Sequence, residues 1–159
     1  MIVISDSSPL ISLAVIGKLN ILENLYKEIY VPTAVHKEVV KADKPFAREL
    51  NLFLNGRTKS VKNKMAVEML SGDIGAGEAE AIVLALEQQP CIVLIDDLKA
   101  RRFAKMKGLK IIGTMGILLK AKKEGLIKEI KPLISELLLS GIRISTKIIE
   151  ITLQAAREI

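Results

Sequence analysis

Short apolar runs recur along the chain and predict strands. "MIVIS", "CIVLI" and "LKIIG" are aliphatic runs without polar alternation, a pattern typical of strands buried on both faces of a parallel sheet. "EIYVP" is a shorter piece of the same kind, which Pro32 ends. We expect the strands at about 2–5, 92–95 and 110–112 to be parallel neighbours in one sheet.

Longer segments with apolar residues three and four positions apart predict helices between these strands. We expect Ser8 to cap the first helix, which ends near Gly17, and Thr114 to cap a later one. A glycine-rich loop occupies 71–77. The predicted helices are "PLISLAVIG", "KLNILENLY", "TAVHKEVVKA", "PFARELNLFLN", "EAEAIVLALEQQ", "DDLKARRFAKMKG", "TMGILLKAKKEG", "IKEIKPLISELLLSG" and "STKIIEITLQAAREI".

The alternation of strands and helices places the chain in the α/β class, with a central parallel sheet covered by helices on both faces. Half of the 159 residues are hydrophobic, which is enough to bury the core of one domain. We therefore expect a single domain over 1–159, in which about 131–159 form a C-terminal helical extension.

The rarity of cysteine and histidine excludes two kinds of site. One cysteine, Cys91, excludes an internal disulfide, and one histidine, His36, excludes a multi-histidine zinc site. We expect Cys91 to be buried in a strand and His36 to lie at a helix surface or edge. The first apolar stretch breaks at Asp6 and no run reaches the roughly 18 residues of a membrane span, so we expect a cytoplasmic protein without a membrane partner.

Two of the predicted strands end in carboxylates. Asp6 follows "MIVIS", and Asp96 and Asp97 follow "CIVLI". Ligands of open parallel sheets bind beyond the carboxyl ends of the strands, so we expect these acids at one functional rim. The competing explanation for a single acid in this position is that it caps the next helix.

Two glutamates on predicted helices extend this set of acids. Glu38 lies inside the helix "TAVHKEVVKA". Glu78 lies three and four residues before Ala81 and Ile82, on the core-facing stripe of its helix. A carboxylate on an apolar stripe is costly unless it is paired or bound to a metal. The alternative for Glu78 is an interaction with the dipole in the first turn of the helix.

A cluster of these acids would require a cation, because clustered carboxylates repel one another. Oxygen ligands without His or Cys select Mg²⁺ or Mn²⁺ rather than zinc. The net charge of +6 is consistent with a nucleic-acid partner. Together these features indicate hydrolysis of phosphodiester bonds, in which the metal activates water.

Five stretches taken together resemble the PIN-domain family. The resemblance covers residues 2 to about 130 and is strongest to PIN-like predicted nucleic-acid-binding proteins of bacteria and archaea, which are similar to toxin ribonucleases of toxin–antitoxin pairs. It implies a three-layer α/β/α fold with a central, mainly parallel sheet and extra C-terminal helices, and a Mg²⁺- or Mn²⁺-dependent ribonuclease. The stretches are "VISDSSPLI", "VPTAVHKEV", "GEAEAIVLALE", "VLIDDLKARRFA" and "IIGTMGILLKAKKEGLI".

The resemblance implies four catalytic acids. Asp6, Glu38 and Glu78 match the first three, although many toxins of the family carry Asp where Glu78 stands. Asp96 directly follows its strand and is the preferred fourth acid, with Asp97 as the alternate. The implied metal ligands are Asp6, Glu78, Asp96 and Asp97.

The resemblance also implies residues around the acids. Ser8 matches a small polar residue that holds the first acid or a bound water, and Thr114 resembles a hydroxyl that lines the site. Four cations on the helix after the fourth acid are candidates to hold RNA phosphates. They are Lys99, Arg101, Arg102 and Lys105.

The partners implied by the resemblance are an RNA substrate, a small antitoxin protein and a second copy of the chain in a homodimer. A function of another class stays open, because a PIN-like fold with little catalysis would serve as a nucleic-acid-binding or scaffold protein. Metal-dependent cleavage of RNA distinguishes the two.

Overall fold

A five-stranded parallel sheet forms the centre of the computed structural model, which describes residues 1–159. The strand order is β3-β2-β1-β4-β5, and every neighbouring pair is parallel. The prediction of three parallel neighbouring strands is therefore confirmed. The strands are β1 (Ile2–Ser5), β2 (Glu28–Pro32), β3 (Thr58–Lys59), β4 (Cys91–Leu94) and β5 (Lys110–Ile112).

Ten helices surround the sheet. All the predicted helices are present, and Gly17 and Gly108 follow the ends of two of them with φ of 65° and 79°, a conformation that glycine adopts without strain. The glycine-rich loop is shorter than predicted, because a helix already begins at Ala76. The helices are α1 (Ser7–Val15), α2 (Asn20–Leu25), α3 (Thr33–Val39), α4 (Ala47–Phe53), α5 (Lys64–Ser71), α6 (Ala76–Glu87), α7 (Leu98–Met106), α8 (Thr114–Lys123), α9 (Lys131–Leu139) and α10 (Thr146–Ala155).

Hydrophobic side chains from the two faces of the sheet form two separate clusters. Val3 of β1 belongs to a cluster of 24 buried residues, and the next residue, Ile4, belongs to one of 15. This alternation is the period of a strand with both faces covered. The fold is thus a three-layer α/β/α arrangement, as the resemblance implied. Helices α9 and α10 pack into the larger cluster through Leu133, Leu137 and Leu153.

The end of the chain is tied to the start of α9 by one carboxylate. Glu158 accepts hydrogen bonds from the amides of Ile130 and Lys131 and from the ammonium of Lys122. Burial acts to raise the pKa of Glu158, but these three donors outweigh it and lower the pKa. The contact fixes the end of the chain after α10 against the rest of the larger cluster.

The lone cysteine is buried in β4, where its thiol donates to the Ala85 carbonyl at 3.3 Å, and that prediction is confirmed. None of the helices combines the length and the apolar composition needed to cross a membrane.

Candidate active site

The carboxyl ends of the two central strands deliver acids to one rim of the sheet. Ser5 of β1 pairs with Leu94 of β4, and the Asp6 amide then donates to the Leu94 carbonyl at 3.0 Å. Asp6 itself is buried, with 5% of its surface exposed, whereas Asp96 and Asp97 are exposed. The rim therefore carries one buried acid and two accessible ones.

Four acids from four different elements line one cleft at this rim. Asp6 follows β1, Glu38 comes from α3, Glu78 comes from the first turn of α6, and Asp97 precedes α7. The cleft has a volume of about 500 Å³. Its full lining is Asp6, Ser7, Ser8, Ala34, Lys37, Glu38, Lys41, Gly75, Ala76, Gly77, Glu78 and Asp97.

Asp6 occupies the cap position of α1, but its side chain does not make a capping hydrogen bond. Burial, the largest cause, and the nearby carboxylates of Glu78, Glu38 and Asp96 together raise the pKa of Asp6 to about 7, against the opposing effect of the Ser7 amide. No capping hydrogen bond therefore supports the competing explanation, in which Asp6 serves as a helix cap. Its carboxylate remains free to act in the cleft.

A serine next to Asp6 orients the second acid. The Ser7 hydroxyl donates to Oε2 of Glu38, and so joins α1 to α3. Ser8, the residue singled out from the sequence, is exposed at the cleft and its hydroxyl makes no hydrogen bond. The prediction of Ser8 as a cap is wrong, because α1 already begins at Ser7 and Asp6 holds the cap position.

Glu78 carries an unsatisfied oxygen into the cleft. Its Oε2 is buried and makes no hydrogen bond. Burial raises the pKa of Glu78, and Asp97 and Glu38 add to this, while the amide of Gly75 acts in the opposite direction. A buried carboxylate oxygen without a donor is a costly arrangement, which a cation in the cleft would relieve.

Two glycines at the start of α6 let the acids approach. A Cβ at Gly75 would lie 2.8 Å from Oε1 of Glu78, closer than real Cβ contacts allow. A Cβ at Gly77 would lie 3.5 Å from Oε2 of Glu38 and 3.8 Å from Oδ1 of Asp6, in ordinary contact with both. The absence of a side chain at Gly77 therefore leaves space between the first two acids.

The two consecutive aspartates have different partners. Asp96 accepts from Thr114 twice, at Oδ1 from the amide at 2.8 Å and at Oδ2 from the hydroxyl at 2.6 Å. Asp97 caps α7 by accepting from the Ala100 amide at 2.9 Å, and it lines the cleft with Glu78. Asp96 raises the pKa of Asp6 and Asp97 raises that of Glu78. Both aspartates thus act on the acid cluster, Asp96 through Asp6 and Asp97 through Glu78.

Thr114 is not the cap of α8. Gly113 holds the cap position, and Thr114 is the first helical residue, buried, with its hydroxyl directed to Asp96. A Cβ at Gly113 would lie 2.9 Å from Oδ1 of Asp96 and 3.0 Å from Nη1 of Arg101, so the crowding of these groups explains a glycine there. Asp96 caps α8 from another element and replaces a local cap.

The cations predicted to hold phosphates lie apart from the cleft lining. Lys99, Arg102 and Lys105 are exposed on α7 and none of them lines the cleft. Arg101 is half-buried, and its guanidinium donates to the Ile95 carbonyl at 2.7 Å. The two cations that do line the cleft, Lys37 and Lys41, are residues that the sequence reasoning missed.

A further carboxylate joins α3 to α6. Oε1 of Glu80 accepts from the Ala34 amide at 3.0 Å, in the first turn of α3. An acid at this position satisfies an amide that the helix itself leaves without a partner. Glu80 therefore fixes the helix that carries Glu38 against the helix that carries Glu78. Only the proximity of Glu80 to Glu78 in sequence hinted at this role.

The acids fit a hard divalent cation in their chemistry. As the side chains stand, no three acidic groups are arranged to hold a metal ion. The unpartnered Oε2 of Glu78, the raised pKa of Asp6 and the all-oxygen donor set nevertheless favour Mg²⁺ or Mn²⁺. Asp6, Glu38, Glu78 and Asp97 are the residues that would hold it.

Comparison with known proteins gives one match. The family model DUF3368, described as a PIN domain, matches residues 2–158. Neither a curated protein nor a solved structure matches the chain. The match extends past residue 130 and includes α9 and α10, which the motifs quoted from the sequence do not reach.

Proposed function

The chain belongs to the PIN-domain family, as the resemblance predicted, and on this premise we propose that it is a Mg²⁺- or Mn²⁺-dependent ribonuclease. PIN domains are generally nucleases, so the family itself indicates hydrolysis of nucleic acid. The observation that supports a working active site is the polar cleft in which Asp6, Glu38, Glu78 and Asp97 meet. A protein that had lost catalysis would have no need to keep a buried, unpartnered carboxylate there.

The four acids of the cleft would bind a cation together, each from a different element. Asp6 comes from the rigid end of β1, and Glu78 is held by the first turn of α6. The Ser7 hydroxyl fixes Glu38, and Asp97 completes the set from the start of α7. When bound, a divalent cation would supply activation of water and stabilisation of the charge that develops on the phosphate.

Before a cation binds, the raised pKa of Asp6 favours the protonated form of its carboxyl group. The pKa of Asp6 is about 7, so its carboxyl group is protonated in about half of the molecules at neutral pH. Binding of a cation displaces that proton, because the ligands of Mg²⁺ and Mn²⁺ are ionised carboxylates. Affinity for the metal should therefore rise with pH through this range.

The biological role that we propose is that of a toxin of a toxin–antitoxin pair, acting on RNA in the cytoplasm. Its partners would be an RNA substrate, a small antitoxin protein and a second copy of the chain. Expression of the chain alone should then arrest growth of a host cell, and the Asp6→Asn variant should not. Normal growth with both the wild type and the Asp6→Asn variant would argue for a role in RNA processing instead.

The enzymatic proposal is tested by cleavage of a generic RNA with Mn²⁺ or Mg²⁺ and with EDTA. We expect cleavage that requires the metal and is lost in the Asp6→Asn variant, which keeps the shape of the side chain. Asp43→Asn, an exposed aspartate outside the cleft lining, is the matched control and should retain full activity. RNA binding without cleavage under all these conditions would favour the binding or scaffold function.

A further inference from the structure

Helix α3 and the residues just after it present one set of side chains to the cleft. Ala34, Lys37 and Glu38 line it at the spacing i, i+3 and i+4 that places side chains on one side of a helix. Lys41 also lines it, two residues after the helix ends at Val39. Val35 and Val39 of the same helix face the core instead. The side of α3 that carries the acid Glu38 therefore carries Lys37 as well, and Lys41 follows just beyond it.

Both ammonium groups are uncommitted in the folded chain. The ion pairs within 4.0 Å are Arg57 with Glu23 and Lys122 with Glu158, and neither Lys37 nor Lys41 pairs with the acids of the cleft. Both lysines are exposed. They are therefore not used to neutralise the four carboxylates, and their charges remain available to a ligand.

We propose that Lys37 and Lys41 form the phosphate-binding edge of the cleft and hold backbone phosphates of the RNA strand beside the bond to be cut. The proposal rests on the ribonuclease function and names the contacts by which that substrate is held. The two lysines are four residues apart, Lys37 in the last turn of α3 and Lys41 just after the helix, so each can contact a different phosphate. The acids would then hold the cation at the bond to be cut, while the lysines bind phosphates of the same RNA strand.

The lining of the cleft favours recognition of the backbone over recognition of bases. No aromatic side chain lines the cleft, and its apolar lining is limited to Ala34 and Ala76. Stacking on aromatic rings is the usual basis for gripping bases of a single strand. Because charged groups and no aromatic rings line the cleft, we expect binding that depends on salt and tolerates changes in sequence.

The test compares two double variants that each remove two positive charges. Lys37→Gln/Lys41→Gln removes the charges at the cleft. Lys27→Gln/Lys110→Gln removes two exposed lysines at the amino ends of β2 and β5, on the opposite rim of the sheet. Binding of a fluorescein-labelled mixed-sequence oligoribonucleotide is followed by anisotropy in EDTA over a range of salt concentrations, and cleavage of the same RNA is followed with Mn²⁺.

We expect the cleft variant to bind RNA roughly tenfold more weakly at physiological salt, with a slope of log K against log salt lower by about 1.4, or 0.7 for each lost phosphate contact on a single strand. Its KM for cleavage should rise by a similar factor while kcat stays within about twofold. The opposite-rim variant should match the wild type. An equal loss in both double variants, or an unchanged slope in the cleft variant, overturns the proposal.

The proposal and the ribonuclease function fail in different ways. Loss of salt-dependent binding in the cleft variant without cleavage by any variant supports the phosphate edge and rejects the nuclease. Cleavage by the wild type with unaltered KM in the cleft variant supports the nuclease and rejects the edge. Absence of RNA binding by the wild-type protein rejects the edge. Melting temperatures of Lys37→Gln and Lys41→Gln, measured singly, show whether either exposed substitution alters folding.

Discussion

Asp96 and Thr114 are bound to each other through both oxygens of the aspartate. The Thr114 amide donates to Oδ1 at 2.8 Å and its hydroxyl donates to Oδ2 at 2.6 Å. The pair joins the end of β4 to the first residue of α8. It also holds a carboxylate near Asp6, whose pKa Asp96 helps to raise. The Asp96 side chain thus both stabilises the start of α8 and contributes to the electrostatics of the cleft.

The first prediction concerns the stability that this pair provides. Thr114→Val keeps the shape and the amide bond but removes the buried hydroxyl donor to a carboxylate, so we expect a loss of about 1–3 kcal/mol in the free energy of unfolding. Urea denaturation measures it. Thr146→Val is the matched control, because Thr146 is also the first residue of its helix but is exposed. A loss as large for Thr146→Val would show that the effect belongs to the helix start and not to Asp96.

The second prediction distinguishes the two aspartates as metal ligands. Asp97→Asn keeps the cap of α7, since asparagine caps helices as well as aspartate does, but removes the charge beside Glu78. We expect the rise in melting temperature on addition of Mn²⁺ to be largely lost in Asp97→Asn. In the wild type this rise should correspond to about 1–3 kcal/mol at tens to hundreds of times the dissociation constant.

Asp96→Asn is the comparison for that measurement. It should retain a larger share of the Mn²⁺ effect than Asp97→Asn, because Thr114 already occupies both oxygens of Asp96. A full Mn²⁺ effect in Asp97→Asn together with its loss in Asp96→Asn would show that Asp96 is the fourth acid, as its position directly after the strand suggested.

Much of the fold is predictable from the sequence because its strands and helices are marked by different periods. Strand β3 and helix α5 are the exceptions. Strand β3 has two residues, both half-buried, and in α5 none is fully buried, although Ala66, Val67 and Leu70 pack against the smaller cluster. The acids at the rim are predictable for a topological reason, because parallel strands end on the same side. Their immediate neighbours are not.

Residues adjacent in sequence leave a strand in different directions, and the pattern of apolar residues does not encode which one turns into the cleft. This is why Ser7 rather than Ser8 contacts Glu38, and why Asp96 and Asp97 acquire different partners. Lys37 and Lys41 were missed for a related reason. Their position at the cleft depends on how α3 packs against α6, which contacts distant in sequence decide.

The third prediction concerns the space left by Gly77. Alanine there would contact Glu38 and Asp6 at ordinary distances, so the fold should tolerate it, and helix propensity should stabilise the metal-free protein by up to about 1 kcal/mol. The added methyl group would occupy space between the two acids, and we expect a smaller Mn²⁺-induced rise in melting temperature. Gly72→Ala, where nothing lies within 4 Å of the new Cβ, is the control. An unreduced Mn²⁺ effect in Gly77→Ala would place the cation elsewhere in the cleft.

The fourth prediction is a pH dependence of stability that originates at Asp6. Folding raises its pKa from the ordinary value of 3.8 to about 7, so the folded state keeps a proton that the unfolded state loses as the pH rises. The stabilisation from this proton is complete below about pH 4 and is lost as the pH rises towards 7. Asp6→Asn cannot lose a proton and lacks this decline.

Without metal, the unfolding free energy of Asp6→Asn minus that of the wild type should therefore grow by about 2–4 kcal/mol between pH 4 and pH 7. Urea denaturation at a series of pH values in EDTA measures this difference. Asp43→Asn, at an exposed position, should follow the wild type throughout. A difference that is constant with pH would mean that folding does not raise the pKa of Asp6.

The strand order has a consequence for how the chain reaches its native state. The first strand in the chain is the central one, and one of its edges waits for a partner about 90 residues further on, where Cys91 pairs with Ile2. The half made of β1, β2 and β3 can assemble from nearby segments, but closing the other half costs the entropy of a long loop. Until β4 docks, the open edge of β1 exposes apolar residues and unpaired amides that another molecule can capture. Refolding should therefore be slowed by this one late pairing and should lose yield to aggregation as protein concentration increases.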